Sequence, residues 1–172
     1  MNKKNKILIF LVIISIIITI ITYIKYTDIR EAINKENNKI KDILHIERMD
    51  YGAIVLYNSL NDKELCIAYL EKGILGWKYK TGEKNTDKYP IITKGYFTSV
   101  EYMPFSVYYG RIKNDNISMI RLLDYDKGKD YNAKIITLKN NKRIWFQLLK
   151  NNHGENIKVL GLSKHDKKIY YK

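Results

Sequence analysis

Three histidines, one cysteine and a knot of aspartates are the side chains with chemistry to offer, and their spacing offers little of it. His45, His153 and His165 stand far apart, with no H-x-x-x-H or C-x-x-C spacing to hold zinc. His153 and His165 fall in turn-like sequence and read as solvated, whereas His45 alternates with apolar neighbours as a strand residue does. Cys66 is the only cysteine, which excludes an intrachain disulfide. Between Leu65 and Ile67 it reads as a buried, inert thiol, with pairing to a second chain as the alternative. Asp124, Asp126 and Asp130 crowd Gly128, but the acid that would close a calcium loop is missing and Lys127 and Lys129 intervene, so a charged turn is expected. No G-x-S-x-G or P-loop occurs. A catalytic site would have to be assembled from His45, Cys66, Glu101 and Asp124, which lie on unrelated elements. No catalytic residue, metal or cofactor is expected.

The aromatic residues are more informative. There are 15 Tyr against 4 Phe and 2 Trp. Trp77 and Tyr79 alternate on one face of a lysine-bearing strand, with Lys78 between them and Tyr69 nearby; Tyr96, Phe97, Tyr102, Tyr108 and Tyr109 follow. Tyr is a good strand former, and one reading is that these rings fill cross-strand pairs at the edge of a core. The functional reading is an exposed surface that binds a protein or a wall glycan through Tyr69, Trp77, Lys78, Tyr79, Tyr108 and Tyr109. Neighbouring strand residues point to opposite faces, so Tyr108 and Tyr109 cannot share one core; one is expected to be partly exposed, or to lie between sheets.

These residues have to be positioned by a chain that opens with an apolar run, Ile7 to Ile24, with no charge, Pro or Gly. As a helix it spans about 27 Å, close to the hydrocarbon thickness of a bilayer. Its polar side chains are Ser15, Thr19, Thr22 and Tyr23, and a Ser or Thr hydroxyl can bond back to the preceding turn. Lys3, Lys4 and Lys6 precede it, and no A-x-A-like cleavage site follows. An uncleaved signal-anchor is therefore expected, ahead of a cleaved signal or a buried core helix. Tyr23 and Tyr26 stand where an interfacial aromatic belt would lie. The expected organisation is a cytoplasmic tail (1–6), a transmembrane anchor (7–24), a juxtamembrane helix or stalk (25–39) and an extracytoplasmic domain. That domain comprises a meander with a long connection (40–98) and a sandwich (99–172), with 40–172 as one folding unit.

The chain carries 31 Lys+Arg against 18 Asp+Glu, a net charge of +13. This reads either as a lysine-rich soluble surface or as affinity for an anionic surface such as lipid headgroups, wall polymers or nucleic acid. No arginine cluster suited to reading bases is present, so specific nucleic-acid binding is not expected.

Residues 27–38 read as a short helix capped by Thr27 or Asp28, with Ile29, Ala32 and Ile33 as its apolar stripe. It either packs on the first strands or extends the membrane helix as a stalk. IKDILHIERMD, AIVLYNS, ELCIAYLEKG and ILGWKYKTG then read as an antiparallel meander. The third strand is apolar on both faces, and Gly76 is placed to form a bulge or admit another backbone. Residues 81–98 form a long connection with a short helix or edge strand near Ile91 and Ile92. Six short strands follow, FSVYYGRI, ISMIRLL, NAKIITL, RIWFQLL, NIKVLGLS and IYYK, separated by turn signals roughly every ten residues. Their expected core is Phe105, Val107, Ile120, Leu122, Ile135, Leu138, Ile144, Phe146, Leu148, Val159 and Leu162. The fold class is mainly β: an N-terminal transmembrane helix, a short helix, an antiparallel meander and an Ig-like β-sandwich.

The segments AIVLY, EKGILGWKY, PFSVYYGRI, RIWFQLL and IKVLGLSKHDKKIYY together resemble small membrane-anchored, extracytoplasmic β-domain proteins of low-GC Gram-positive bacteria. The resemblance covers most of residues 40–172, and the Gly-x-x-Gly-Trp-Lys hairpin ahead of a small sandwich carries it. It implies fold and location, and brings no activity or catalytic residue with it.

The function expected from sequence is a single-pass, membrane-anchored extracytoplasmic binding or accessory module. Its partner would be an envelope protein or an anionic wall or lipid polymer. The alternatives are a cytoplasm-facing, membrane-tethered regulator that binds anionic lipid or nucleic acid, and an enzyme without a sequence signature.

Overall fold

A computed structural model describes residues 3–24, 28–36, 39–60, 64–74, 76–85, 92, 94–98, 105–151, 156–165 and 167–171. The protein is mainly β, with two helices and two antiparallel sheets. Helix α1 runs Lys3–Ile24. Every large apolar side chain described in it, from Ile9 to Ile18, is between 36% and 63% exposed. Thr19 Oγ1 donates to the Ser15 carbonyl at 2.8 Å, one turn back along the helix. Among the described residues no helix is long and apolar enough to cross a membrane. The side chains described in α1 are those of residues 5 and 9–19, and the longer of these runs spans about 16 Å.

Helix α2 is a short Ile29–Asn34, inside the 27–38 expected. Asp28 caps it by accepting from Arg30 N. Its stripe is the expected one, Ile29, Ala32 and Ile33, and all three are buried. Three polar contacts hold the helix to the first strand: the Arg30 guanidinium donates to the carbonyls of Ile40 at 3.1 Å and Lys41 at 3.3 Å, and Ile40 N donates to Asn34 Oδ1 at 2.9 Å. The helix therefore packs on the sheet and is not a solvated stalk.

The first sheet is the expected meander, β1(Ile40–Met49), β2(Gly52–Ser59), β3(Leu65–Gly73) and β4(Gly76–Asn85), in that order. The second contains β5(Gly95–Thr98), β6(Phe105–Ile112), β7(Met119–Asp124), β8(Lys129–Thr137), β9(Arg143–Lys150), β10(Ile157–Leu162) and β11(Lys168–Tyr171), in the order β11-β10-β7-β8-β9-β6-β5. All six strands expected after residue 104 are present. In the long connection β5 forms, and Ile92 makes a single bridge to Ile112; Ile91 and 99–104 lie outside the described residues.

The sandwich is built differently from two separate sheets. The first half of β8 pairs with β7 (Ala133 opposite Ile120), and its second half pairs with β9 (Ile136 opposite Ile144). The seven-stranded sheet thus turns a corner within β8 and folds over itself. Tyr108 and Trp145 from β6 and β9 pack against Ile120, Leu122 and Val159 from β7 and β10. The opposite face of β6 and β9 packs against the meander, where Val107, Tyr109 and Phe146 meet Ile54, Leu56 and Ile67. Beyond the meander, α2 covers its outer face over Val55, Cys66 and Leu70. The order of layers is α2, meander, β5-β6-β9, then β7-β10. The two middle layers are buried on both sides, which is why β2, β3 and β6 each begin with an unbroken run of buried residues.

Of the expected core, Phe105, Val107, Ile120, Leu122, Ile144, Phe146, Val159 and Leu162 are buried. Ile135, Leu138 and Leu148 are half-buried and pack at the rim.

Candidate functional site

The structure divides the six aromatic-surface residues between two roles. Tyr108 and Tyr109 are fully buried, so they do not belong to an exposed aromatic surface and instead follow the alternative of rings lying between sheets. They do face opposite ways, but each side is another layer: Tyr108 points into the fold of the seven-stranded sheet and Tyr109 toward the meander. Burial drives the Tyr109 phenol far above its ordinary pKa, and its Oη has no hydrogen-bond partner among the described residues. Tyr69 is also core, packed edge-on against Phe105 with ring centres 5.3 Å apart.

Glycines make room for these rings. A Cβ on Gly95 would lie 2.5 Å from Tyr109 Cζ, and one on Gly52 would lie 2.7 Å from the Tyr69 ring. Each ring lies flat against a neighbouring strand at its glycine.

Trp77, Lys78 and Tyr79 remain at the surface, apart from Tyr69, because Tyr79 lies opposite Leu70, whose side chain points to the other face from Tyr69; a bulge follows this pair. Strand β4 pairs Tyr79 with Leu70 and Thr81 with Tyr69, leaving Lys80 as the extra residue. Before the bulge Trp77 and Tyr79 share the α2 face with Leu70; after it Thr81 shares the opposite face with Tyr69. Gly76, expected as the bulge, instead closes the hairpin opposite Gly73 with φ 103°. Lys80 turns outward to Glu71 Oε2 at 2.7 Å.

This arrangement leaves a groove of about 530 Å³ between α2 and the β3–β4 hairpin. Trp77 and Tyr79 form its half-buried wall, Lys78 and Gly76 one rim, and Lys35 and Glu36 of the α2 end the other. Ile74, at the hairpin tip, is 96% exposed. An apolar wall with charged rims suits a ligand that offers a flat apolar surface beside a charge.

The groups considered for catalysis do not converge. His45 Nε2 lies 3.0 Å from Glu47 Oε2, which also receives Lys134 Nζ at 3.4 Å, and the imidazole rests against the Phe146 ring. This is a cross-sheet polar clasp between β1 and β8. Cys66 is fully buried on the α2 face of the meander. Asp124 is buried and accepts from Lys127 N at 3.0 Å, which shapes the turn before Gly128, while Asp126 and Asp130 are exposed. His165 is exposed in a turn; His153 and Glu101 lie outside the described residues. Among the described residues no group of three or more His, Cys, Asp or Glu is placed to hold a metal.

Sequence reasoning missed a second cavity, of about 360 Å³, at the ends of β6 and β9. It is lined by Arg111, Ile112, Lys113, Asp115 and the turn 140–143. Its cations are spread along the chain in twos, which hides them from a search for charge runs. No family model, curated protein or solved structure matches this chain.

Proposed function

We propose that this protein is a single-pass, membrane-anchored binding module. Its N-terminal tail lies in the cytoplasm, and a β-domain outside engages an envelope component through the α2–β4 groove. The observation that carries the reading is the contrast in apolar exposure. Helix α1 exposes every large apolar side chain described in it, Ile9 to Ile18, whereas the β-domain encloses most of those described in it. A helix apolar on all sides is stable when surrounded by protein core or lipid, and the α1 segment continues apolar to Ile24. The resemblance to membrane-anchored β-domain proteins of low-GC Gram-positive bacteria supports the same location.

Within the domain, Ile74, Trp77 and Tyr79 are apolar side chains left at the surface around a cavity; Lys78, Glu36 and Lys35, which pairs with Glu31 at 3.1 Å, line it with them, and Lys72 lies opposite Trp77, so cations outnumber the one acid of the lining. That combination favours an acidic partner with an apolar or ring-bearing surface, either an envelope protein or an anionic wall polymer. The test has two stages. Protease added to intact, wall-stripped cells digests residues 25–172 if the domain is outside; protection until lysis would overturn the location. The full chain in micelles then captures envelope material at low salt, and Trp77→Ala with Lys78→Glu abolishes capture. Capture that survives both substitutions refutes the groove.

A further inference from the structure

We infer that the cavity at the ends of β6 and β9 binds the phosphate group of a small polyol phosphate ester. This inference does not depend on the groove, which lies on the α2 side of the domain. Four cations, Arg111, Lys113, Lys142 and Arg143, line the cavity with a single carboxylate, Asp115. They come from three places: the end of β6, the residue after it, and the turn entering β9. The register places Arg111 opposite Ile144 and Arg143 opposite Ile112, so the two guanidiniums leave opposite faces of the same strand pair. They flank the end of the sheet and do not stack on one side of it.

Both guanidiniums are held in place. Arg143 is half-buried and donates to the carbonyls of Ile117 and of Asn114, the latter at 2.8 Å. Carbonyl acceptors orient a guanidinium without cancelling its charge. Asp115 Oδ1 is 3.7 Å from Arg143 but its side chain is 101% exposed, so water screens that pair strongly. Arg111 donates to Asn58 Oδ1 at 2.6 Å, which fixes it against the meander. Two oriented guanidiniums and two exposed lysines in one lining match the several oxygens of a phosphate better than the two of a carboxylate.

The polyol part is indicated by what lies alongside. Asn140 also lines a cleft of about 510 Å³ between β1 and β8. Asn58, Thr137 and Asn140 line that cleft with uncharged donors and acceptors, between Asp42 and Lys139 and beside Ile43, Leu44 and Ile136. Hydroxyl groups on a short carbon chain suit such a surface. The same chemistry is offered by a soluble ester and by a phosphatidylglycerol headgroup.

The experiment uses the full chain in phosphatidylcholine nanodiscs. Glycerol 3-phosphate is titrated, with glycerol and inorganic phosphate as controls, and in a second arm the nanodiscs contain phosphatidylglycerol. The pocket variant is Lys113→Glu with Lys142→Glu; the charge-matched control is Lys164→Glu with Lys167→Glu. All four lysines are exposed, so folding is retained. The expected result is binding of glycerol 3-phosphate, weakened about tenfold or more by the pocket variant and unchanged by the control. A phosphatidylglycerol-dependent shift lost only in the pocket variant identifies the headgroup as the source. Equal loss in both variants, or no response in either arm, overturns the inference.

Discussion

Replacing Tyr109 by Phe is expected to stabilise the protein. Tyr109 sits in the middle of β6, fully buried between the seven-stranded sheet and the meander, with its ring on Gly95. The substitution keeps that ring and removes an oxygen that has no hydrogen-bond partner among the described residues. Leaving a buried hydroxyl without a partner costs ~1–3 kcal/mol. The oxygen leaves a void of roughly 10 Å³, which at ~24 cal/mol per Å³ costs about 0.2 kcal/mol. The net gain is ~1–3 kcal/mol, or a Tm rise of about 3–9 °C for a domain of this size. Urea and thermal unfolding of the full chain in micelles, followed by far-UV circular dichroism, measure it, and an unchanged m-value keeps the comparison valid. A loss of stability beyond about 0.5 kcal/mol would refute the reasoning, because it would mean the hydroxyl is hydrogen-bonded and the interface between the layers is wet.

Other outcomes follow from the same packing. Gly95→Ala would bring a Cβ to 2.5 Å from Tyr109 Cζ and is expected to cost ~1–3 kcal/mol; in a double-mutant cycle, Tyr109→Leu recovers part of that loss. Stability is expected to fall above pH 10. There the unfolded chain releases phenol protons from an ordinary value of 10.0, while buried Tyr109 keeps its proton. Fewer protons bound when unfolded means a loss of ~1.4 kcal/mol per pH unit from Tyr109, with Tyr57 adding in the same direction, and Tyr109→Phe makes the measured slope shallower. Cys66 is expected to react with a thiol reagent only as fast as the domain opens; rapid labelling of folded protein would contradict its burial against α2. Asp28→Ala is expected to fray α2 by ~1 kcal/mol, seen as faster amide exchange at Arg30 to Ala32.

The strands and the α2 stripe were legible in the sequence because both depend on local pattern. Turn residues mark the strand ends, and a six-residue helix with Ile29, Ala32 and Ile33 on one side has one way to pack. The exposure of the tyrosines was not legible, because it depends on how many layers lie on a strand. A strand inside a three-layer stack has no solvent face, and in such a stack a phenol is simply a large ring. A signal was nevertheless present. FSVYYG is uncharged along the buried run that opens β6, as LCIAYL is in β3, the strand whose two apolar faces marked it as central. The separation of Trp77 and Tyr79 from Tyr69 was hidden for another reason. It follows from the pairing register: Tyr79 lies opposite Leu70, and alternation turns Leu70 and Tyr69 to opposite faces, a relation between two strands that neither strand carries alone.

The layering also limits where a ligand can be met. Strand β6 is buried from Phe105 through Gly110, and its neighbour β9 from Ile144 through Phe146. Strands covered on both faces can reach a ligand only at their ends or through the loops that join them. At its C-terminal end β6 runs out of the core at Arg111 and Lys113, opposite the point where β9 enters at Lys142 and Arg143. Polar side chains placed deeper would be desolvated without water to replace their partners, so charge gathers where the layers stop. Arg111 has a structural task as well, since its bond to Asn58 ties the large sheet to the meander at that end. A ligand phosphate held there would contact both sheets, and its affinity would respond to Asn58→Ala although that residue lies outside the smaller cavity. Loss of binding in Asn58→Ala with the fold intact would therefore separate an oriented guanidinium from a merely basic surface, on which Arg111 would attract the anion in any orientation.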